Sequence, residues 1–253
     1  MRASFCIALL WCGGASSDGG QEAAPAVAPV AAPAAKVWRV EPIRDAAGGS
    51  TVPDAARAKE SFAALLAADG MRVVAPDGKV RLEVWWRAEL PLLPQAADGN
   101  FTLGRIEPGA FVGVARAVTG AHDYRDQAID AGVYGLRYVH QPSDGNHLGT
   151  SDSRDFLVLT SLAEEQSPEA VTTKEALLAL SVPVSPSDHA LVLYVTAASE
   201  PAPPDGQPRI AQRGELAEQA LEVALLGRAA GAAPTDPPEP LRLALVIDGH
   251  TGH

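Results

Sequence analysis

The sequence predicts an all-β protein: an antiparallel β-sandwich, Ig-like or jelly-roll-like, with one or two short helices. Three observations carry this. Seven to nine runs of alternating or near-continuous apolar residues recur between residues 36 and 250. Turn signals built on Gly, Pro, Asn and Asp separate them. The gaps between the runs are not crossover helices, so a doubly wound α/β fold is the weaker choice.

The elements follow in order. Lys36–Ile43 (KVWRVEPI) is a strand with Trp38 and Val40 on one face. Asp54–Asp69 (DAARAKESFAALLAAD) spaces Ala58, Phe62, Leu65 and Leu66 along one helical face, with Asp54 to cap its start and Gly70 to end it. "MRVVAPDGKVRLEVWWR" is a hairpin turning at Pro76-Asp77-Gly78. After the turn Val80, Leu82, Val84 and Trp86 alternate with Arg81, Glu83 and Trp85, so the two adjacent Trp face opposite ways. An outward Trp offers a surface for stacking on a sugar, although covering by a helix or second sheet is the simpler fate. Further strands are expected at Phe101–Ile106, Ala110–Val118, Val133–Gln141, Asp155–Ser161, His189–Ala197 and Leu241–Asp248. Thr173–Leu180 is a short helix capped by Thr172 or Thr173. Glu218–Leu226 fits either period; strand is preferred because a Gly/Pro-rich loop and another strand follow. Ser199–Arg209 and Ala229–Pro240 are Pro/Gly/Ala-rich loops.

Composition bounds the function. The chain has 253 residues, 47% hydrophobic and 20% charged, as expected of a globular domain. Its net charge is −11, and no basic stripe offsets it, which argues against nucleic-acid binding. Cys6 and Cys12 are the only cysteines, so the folded part has no thiolate for zinc or for Cys-His catalysis. No P-loop, dinucleotide fingerprint or G-x-S-x-G elbow is present.

The first 15 residues are an address. Arg2 precedes a short apolar run, Phe5 to Cys12 (FCIALLWC), too short to span a bilayer. Cys12 followed by Gly13, Gly14 and Ala15 resembles a bacterial lipoprotein signal, in which the Cys becomes the lipidated first residue of the mature chain. Leu9 fits that pattern; Trp11, where a small residue is expected, and the single Arg depart from it. Residues 16–35 then form a disordered Ala/Pro-rich tether, including "AAPAVAPVAAPAA", with too little to bury to offset its ordering entropy. Residues 36–250 make a single β-sandwich domain. Export to the periplasm, outer membrane or cell surface is expected, with membrane attachment through lipidated Cys12.

The densest polar cluster is "HQPSDGNHLGTSDSRDF", 140–156, between two apolar strands. The strand before it places Tyr134, Leu136, Tyr138 and His140 on one face and Val133, Gly135, Arg137 and Val139 on the other. The strand after it is nearly continuously apolar, as a strand covered on both faces would be. Asp144, Asn146, Asp152 and Asp155 offer oxygen ligands suited to Ca²⁺. His140 and His147 with one carboxylate offer a set for Zn²⁺ or Fe²⁺. The spacing matches no EF-hand, HxH or HExxH pattern, and Asp144-Gly145-Asn146 is turn chemistry. A loop fixed by its own hydrogen bonds is therefore the first reading, with Asp155 paired to Arg137 or Arg154. "AHDYRDQ", 121–127, is a second polar loop holding His122, Asp123 and Asp126, read as a solvated turn.

This region resembles a family of uncharacterised exported bacterial proteins. The features it shares are "AGVYGLRY", then "QPSDGNHLG", then "DSRDFLVL", with "LEVWW" upstream and "SDHALVLYV" downstream. The resemblance spans roughly residues 70–200 and implies an exported β-rich domain, with no activity attached.

The functional expectation is a non-catalytic binding or structural module of the cell envelope. It contacts an envelope component or protein through an exposed apolar or aromatic patch, and it needs no cofactor. Two alternatives stand beside it. One is a divalent-metal or hydrolytic site in the 140–155 loop. The other is carbohydrate recognition through exposed Trp85, Tyr124 or Tyr138.

Overall fold

A computed structural model describes residues 37–94, 103–118, 120–123, 125–141, 154–202, 206–214, 218–233 and 235–249. The signal-like segment with Cys12, the tether, Tyr124 and residues 142–153 lie outside them.

The first strand, β1 (Arg39–Ile43), is followed by two one-turn helices, α1 (Asp54–Arg57) and α2 (Glu60–Ala63), where one longer helix is expected. Pro53, not Asp54, occupies the cap, and Asp54 is the first helical residue. The helix stops early because its downstream end is captured by a strand. Leu66 bridges Arg87, the Ala67 N–H donates to the Trp86 carbonyl, and the Ala88 N–H donates to Leu65. Local helical period loses to these long-range backbone bonds.

β2 (Gly70–Val74) and β3 (Val80–Trp86) form the expected hairpin, with Gly78 at φ 83° in its turn. β4 (Leu90–Leu92) is a three-residue strand around Pro91. Leu103–Arg105 is a 3₁₀ turn rather than part of a strand, and it turns both Leu103 and Ile106 into the core. Next come β5 (Phe111–Ala117), a small hairpin of β6 (Ala121–His122) with β7 (Ala128–Ile129), β8 (Gly132–His140) and β9 (Asp155–Ser161). α3 (Lys174–Ser181) is capped by the Thr173 hydroxyl, which accepts from the Ala176 N–H, and it lies against β9. β10 (Val192–Ala197), β11 (Arg209–Arg213), β12 (Glu218–Ala229) and β13 (Glu239–Asp248) complete the chain. β12 resolves the ambiguous segment as a strand.

The strands pair in one path, β1-β2-β3-β5-β8-β9-β10-β13-β12-β11, with every neighbouring pair antiparallel and β4 added parallel to β12. The described strands thus form one large mixed sheet and a two-stranded ribbon, not the two separate sheets expected. The sheet curls until its edge strands β1 and β11 approach each other. Period-2 alternation marks which side chains turn inward, but it does not say which strands become neighbours.

The inward face encloses one apolar core. Leu82, Val84 and Trp86 meet Tyr134, Leu136, Tyr138, Leu157 and Leu159 there, together with Leu193, Leu221, Val223, Leu243 and Leu245. Leu90 and Leu92 of β4 belong to the same cluster, so that segment packs the end where β3 finishes. A second cluster covers the outer face of β3 and β5. Phe62 and Leu66 pack there on Trp85, Phe111 and Val114. Trp85 is therefore buried at 1% exposure, with its indole N–H on the Thr51 hydroxyl at 3.0 Å.

Buried charge on the outer face is matched across strands. Glu83 of β3 sits in register between Arg72 of β2 and Arg116 of β5 and is bonded to Arg116. Glu222 of β12, 2% exposed, takes the Ser199 N–H at 2.8 Å and Arg209 of β11 at 2.8 Å. Burial alone would raise the Glu222 carboxyl; the Ser199 and Arg209 bonds outweigh it and hold it below its ordinary 4.5. A depressed carboxyl contributes stability that is present above the unfolded value and lost as pH falls through the folded one. Glu222→Gln should therefore destabilise the protein at pH 7, and its gap from wild type should narrow below about pH 4.5. Urea unfolding at pH 7 and pH 3 reads this; an equal or wider gap at pH 3 would contradict it.

Candidate functional site

The 140–155 constellation is described at its two ends. β8 and β9 pair in register, setting His140 opposite Asp155. The His140 Nδ1 lies 2.9 Å from Asp155 Oδ1, and the Tyr138 hydroxyl donates to that same oxygen at 2.5 Å. The side chains of His140 and Asp155 are 15% and 7% exposed. A carboxylate on Nδ1 orients an imidazole and fixes its tautomer. Two of the six proposed ligand residues, His140 and Asp155, thus meet. Asp144, Asn146, His147 and Asp152 lie outside the described residues. Among those described, no group of three His, Cys, Asp or Glu side chains is placed to hold a metal.

Asp155 does not pair with Arg137. Alternation puts Arg137 on the opposite face of β8 from Tyr138, and there it meets Glu165. Its Nε and one terminal nitrogen donate to the two Glu165 oxygens at 2.8 and 2.6 Å. The carbonyls of Gly109, Ser167 and Glu169 accept its other N–H groups, each at 2.7 Å. Thr160 donates to Glu165 at 2.7 Å, and Lys59 reaches the Glu165 carbonyl at 2.8 Å. Arg137 and Glu165 are 0% and 1% exposed. Every donor of the guanidinium is used, so this pair is a structural knot rather than a reactive site.

Two of the three aromatics expected to stack on a sugar are not surface groups. Trp85 lies under α2, and Tyr138 is 1% exposed in the core with its hydroxyl on Asp155. Both readings fail because alternation assigns a side chain to a face without saying what covers that face. Among the described residues the large exposed apolar side chains are Val37, Val182 and Leu226, far apart in sequence.

What the sheet does provide is a cavity of about 460 Å³ at the opposite end of β8 from His140. Trp38 before β1, Asp77 of the β2–β3 turn, His122 and Asp123 of the β6–β7 ribbon, Tyr194 of β10 and Asp248 of β13 line it. Two of its segments are held firmly. Asp123 is buried at 5% and folds the ribbon tip around itself. Its Oδ1 accepts the N–H groups of Arg125 (2.8 Å) and Gln127 (2.9 Å). Its Oδ2 accepts the Gln127 side chain (3.0 Å) and the Val192 N–H (3.3 Å). Asp77 accepts the Lys79 N–H and one Arg81 nitrogen, each at 2.9 Å. The Lys79 bond foremost, and Arg81 after it, hold the Asp77 carboxyl below its ordinary value.

A solvated turn is expected at His122, Asp123 and Asp126. The carboxylate of Asp123 is instead the buried hub of that turn. A D-x-x-x-Q pattern between two short strands was a fair signal for such a hub, but the bond to Val192, 69 residues away, left no local trace. The chain matches no protein-family model, no curated protein and no solved structure.

Proposed function

We propose that this chain is an exported, lipid-anchored binding module of the cell envelope, non-catalytic, taking a small ligand in the cavity at the Asp77–Asp248 end of the sheet. The observation that carries the binding half is the cavity itself. A space of about 460 Å³ is lined by two aromatics, an apolar floor and a few polar groups, the composition of a small-molecule site. The anchoring half rests on Cys12 and the Pro-rich segment behind it. We read the architecture as sandwich-like in cross-section, with opposite walls of the curled sheet facing each other across the single core.

Expression of the full chain in a diderm bacterial host with fractionation tests the anchoring half. Wild type should fractionate with membranes and carry a lipid-modified N-terminus by mass spectrometry. Cys12→Ser should abolish the modification and shift most of the protein to the soluble fraction. An unprocessed chain in the cytosol would overturn export.

A metal-dependent or hydrolytic reading at His140 keeps one supporting observation, the carboxylate on its Nδ1. Elemental analysis without stoichiometric metal, together with a melting point unmoved by chelator, would end the metal form of it.

A further inference from the structure

We propose that the ligand of this cavity is an organic cation, an ammonium group on a small apolar body. This rests on the binding reading above and names its ligand class.

Charge balance at the cavity points that way. Asp77, Asp123, Asp126 and Asp248 line it with Arg81 and His122; Asp77 and Arg81 offset each other, and the balance rests on Asp123 and Asp248. Arg81 is already paired with Asp77, so its charge does not repel an incoming cation. Asp123 is the independent observation. It is 5% exposed, and four neutral N–H groups satisfy its oxygens with no cationic side chain bonded to it. Amide dipoles solvate a carboxylate but do not cancel its charge, and in a poorly hydrated wall that charge is felt across the cavity. Asp248 adds a carboxylate at the mouth that makes no hydrogen bond or ion pair with a described side chain, so it is open to a ligand's N–H.

The rest of the lining suits the body of such a molecule. Trp38 is half-buried and presents an indole, the best aromatic partner for a cation. Leu193 and Ile247 provide an apolar floor. A bare metal ion fits this surface poorly, since the described residues bring no three ligating side chains together. A phosphate or carboxylate ligand would meet uncompensated negative charge.

Three probes of similar shape separate the possibilities: phenethylamine, 2-phenylethanol and phenylacetate. Each is titrated into the full chain while the Trp38 indole N–H resonance is followed by NMR. Phenethylamine should shift it saturably, and the alcohol and the acid should bind at least tenfold more weakly. Asp248→Asn, expected to melt near the wild-type temperature, and Trp38→Leu should each weaken phenethylamine about tenfold, the latter read at the Gly249 amide. Salt at 0.5 M should weaken wild-type binding as well. If the alcohol or acid binds as tightly, or Asp248→Asn changes nothing, the cation inference falls while the binding reading stands. If none of the three moves any cavity resonance, both fall.

Discussion

Replacing Arg137 by Met should cost the fold about 3–5 kcal/mol, the usual penalty for leaving one member of a buried ion pair alone. Glu165 would be left at 1% exposure with only Thr160 donating to its side chain. The carbonyls of Gly109, Ser167 and Glu169 would lose their shared donor at the same time. That second loss makes a further outcome specific. In an isolated buried pair, replacing both partners by apolar residues is often neutral. Here Arg137→Met with Glu165→Leu should recover only part of the loss, because the Ser167 and Glu169 carbonyls lose their guanidinium donor while the Gly109 carbonyl keeps only the Val171 N–H. Urea unfolding of the two variants decides it. A single variant within about 1 kcal/mol of wild type, or a double variant as stable as wild type, would mean that the knot carries little of the stability.

Gly109→Ala should be the most damaging alanine substitution among the described glycines, at roughly 2–5 kcal/mol. Gly109 has φ 82°, and a Cβ there would lie 1.9 Å from the Val171 carbonyl oxygen. The backbone cannot give way. The Gly109 N–H is tied to the Tyr138 carbonyl at 2.7 Å, and its own carbonyl is held by Arg137 at 2.7 Å and by Val171 at 3.1 Å. Gly78→Ala is the control. Its φ of 83° is nearly the same, but nothing lies within 4 Å of the added carbon. It should cost only the left-handed penalty, about 1–2 kcal/mol. Thermal or urea unfolding of both separates strain from collision; equal costs would show that the Val171 contact is easily relieved.

The legible parts of the fold were those decided locally. Asp155–Ser161 is a strand with the expected bounds, the Pro76-Asp77-Gly78 turn makes its hairpin, and Thr173 caps α3. The illegible parts were decided by distant partners. β4 is a strand because Leu90–Leu92 pair with Gly227–Ala229, more than 130 residues on, and no propensity around Pro91 announces it. β11 is expected nowhere in the sequence, because RIAQR is mostly polar and offers one large apolar residue, the look of an edge strand. The site divided in the same way. His140 and Asp155 stand opposite each other by strand register, as their places on adjoining strands allowed. The cavity gathers residues from 38 to 249, which only sheet order brings together.

The near-meeting of β1 and β11 has a consequence for colloidal behaviour. An open sheet of this size would ordinarily expose two long edges, each a template for another chain's backbone. Curling leaves little room for an incoming strand to lie flat against either edge, and the edge residues add to the obstacle. β1 carries the Arg39–Glu41 ion pair and Pro42, which has no N–H to offer; β11 is bounded by Arg209 and Arg213. The same geometry that encloses the core therefore shields the backbone from edge-to-edge aggregation.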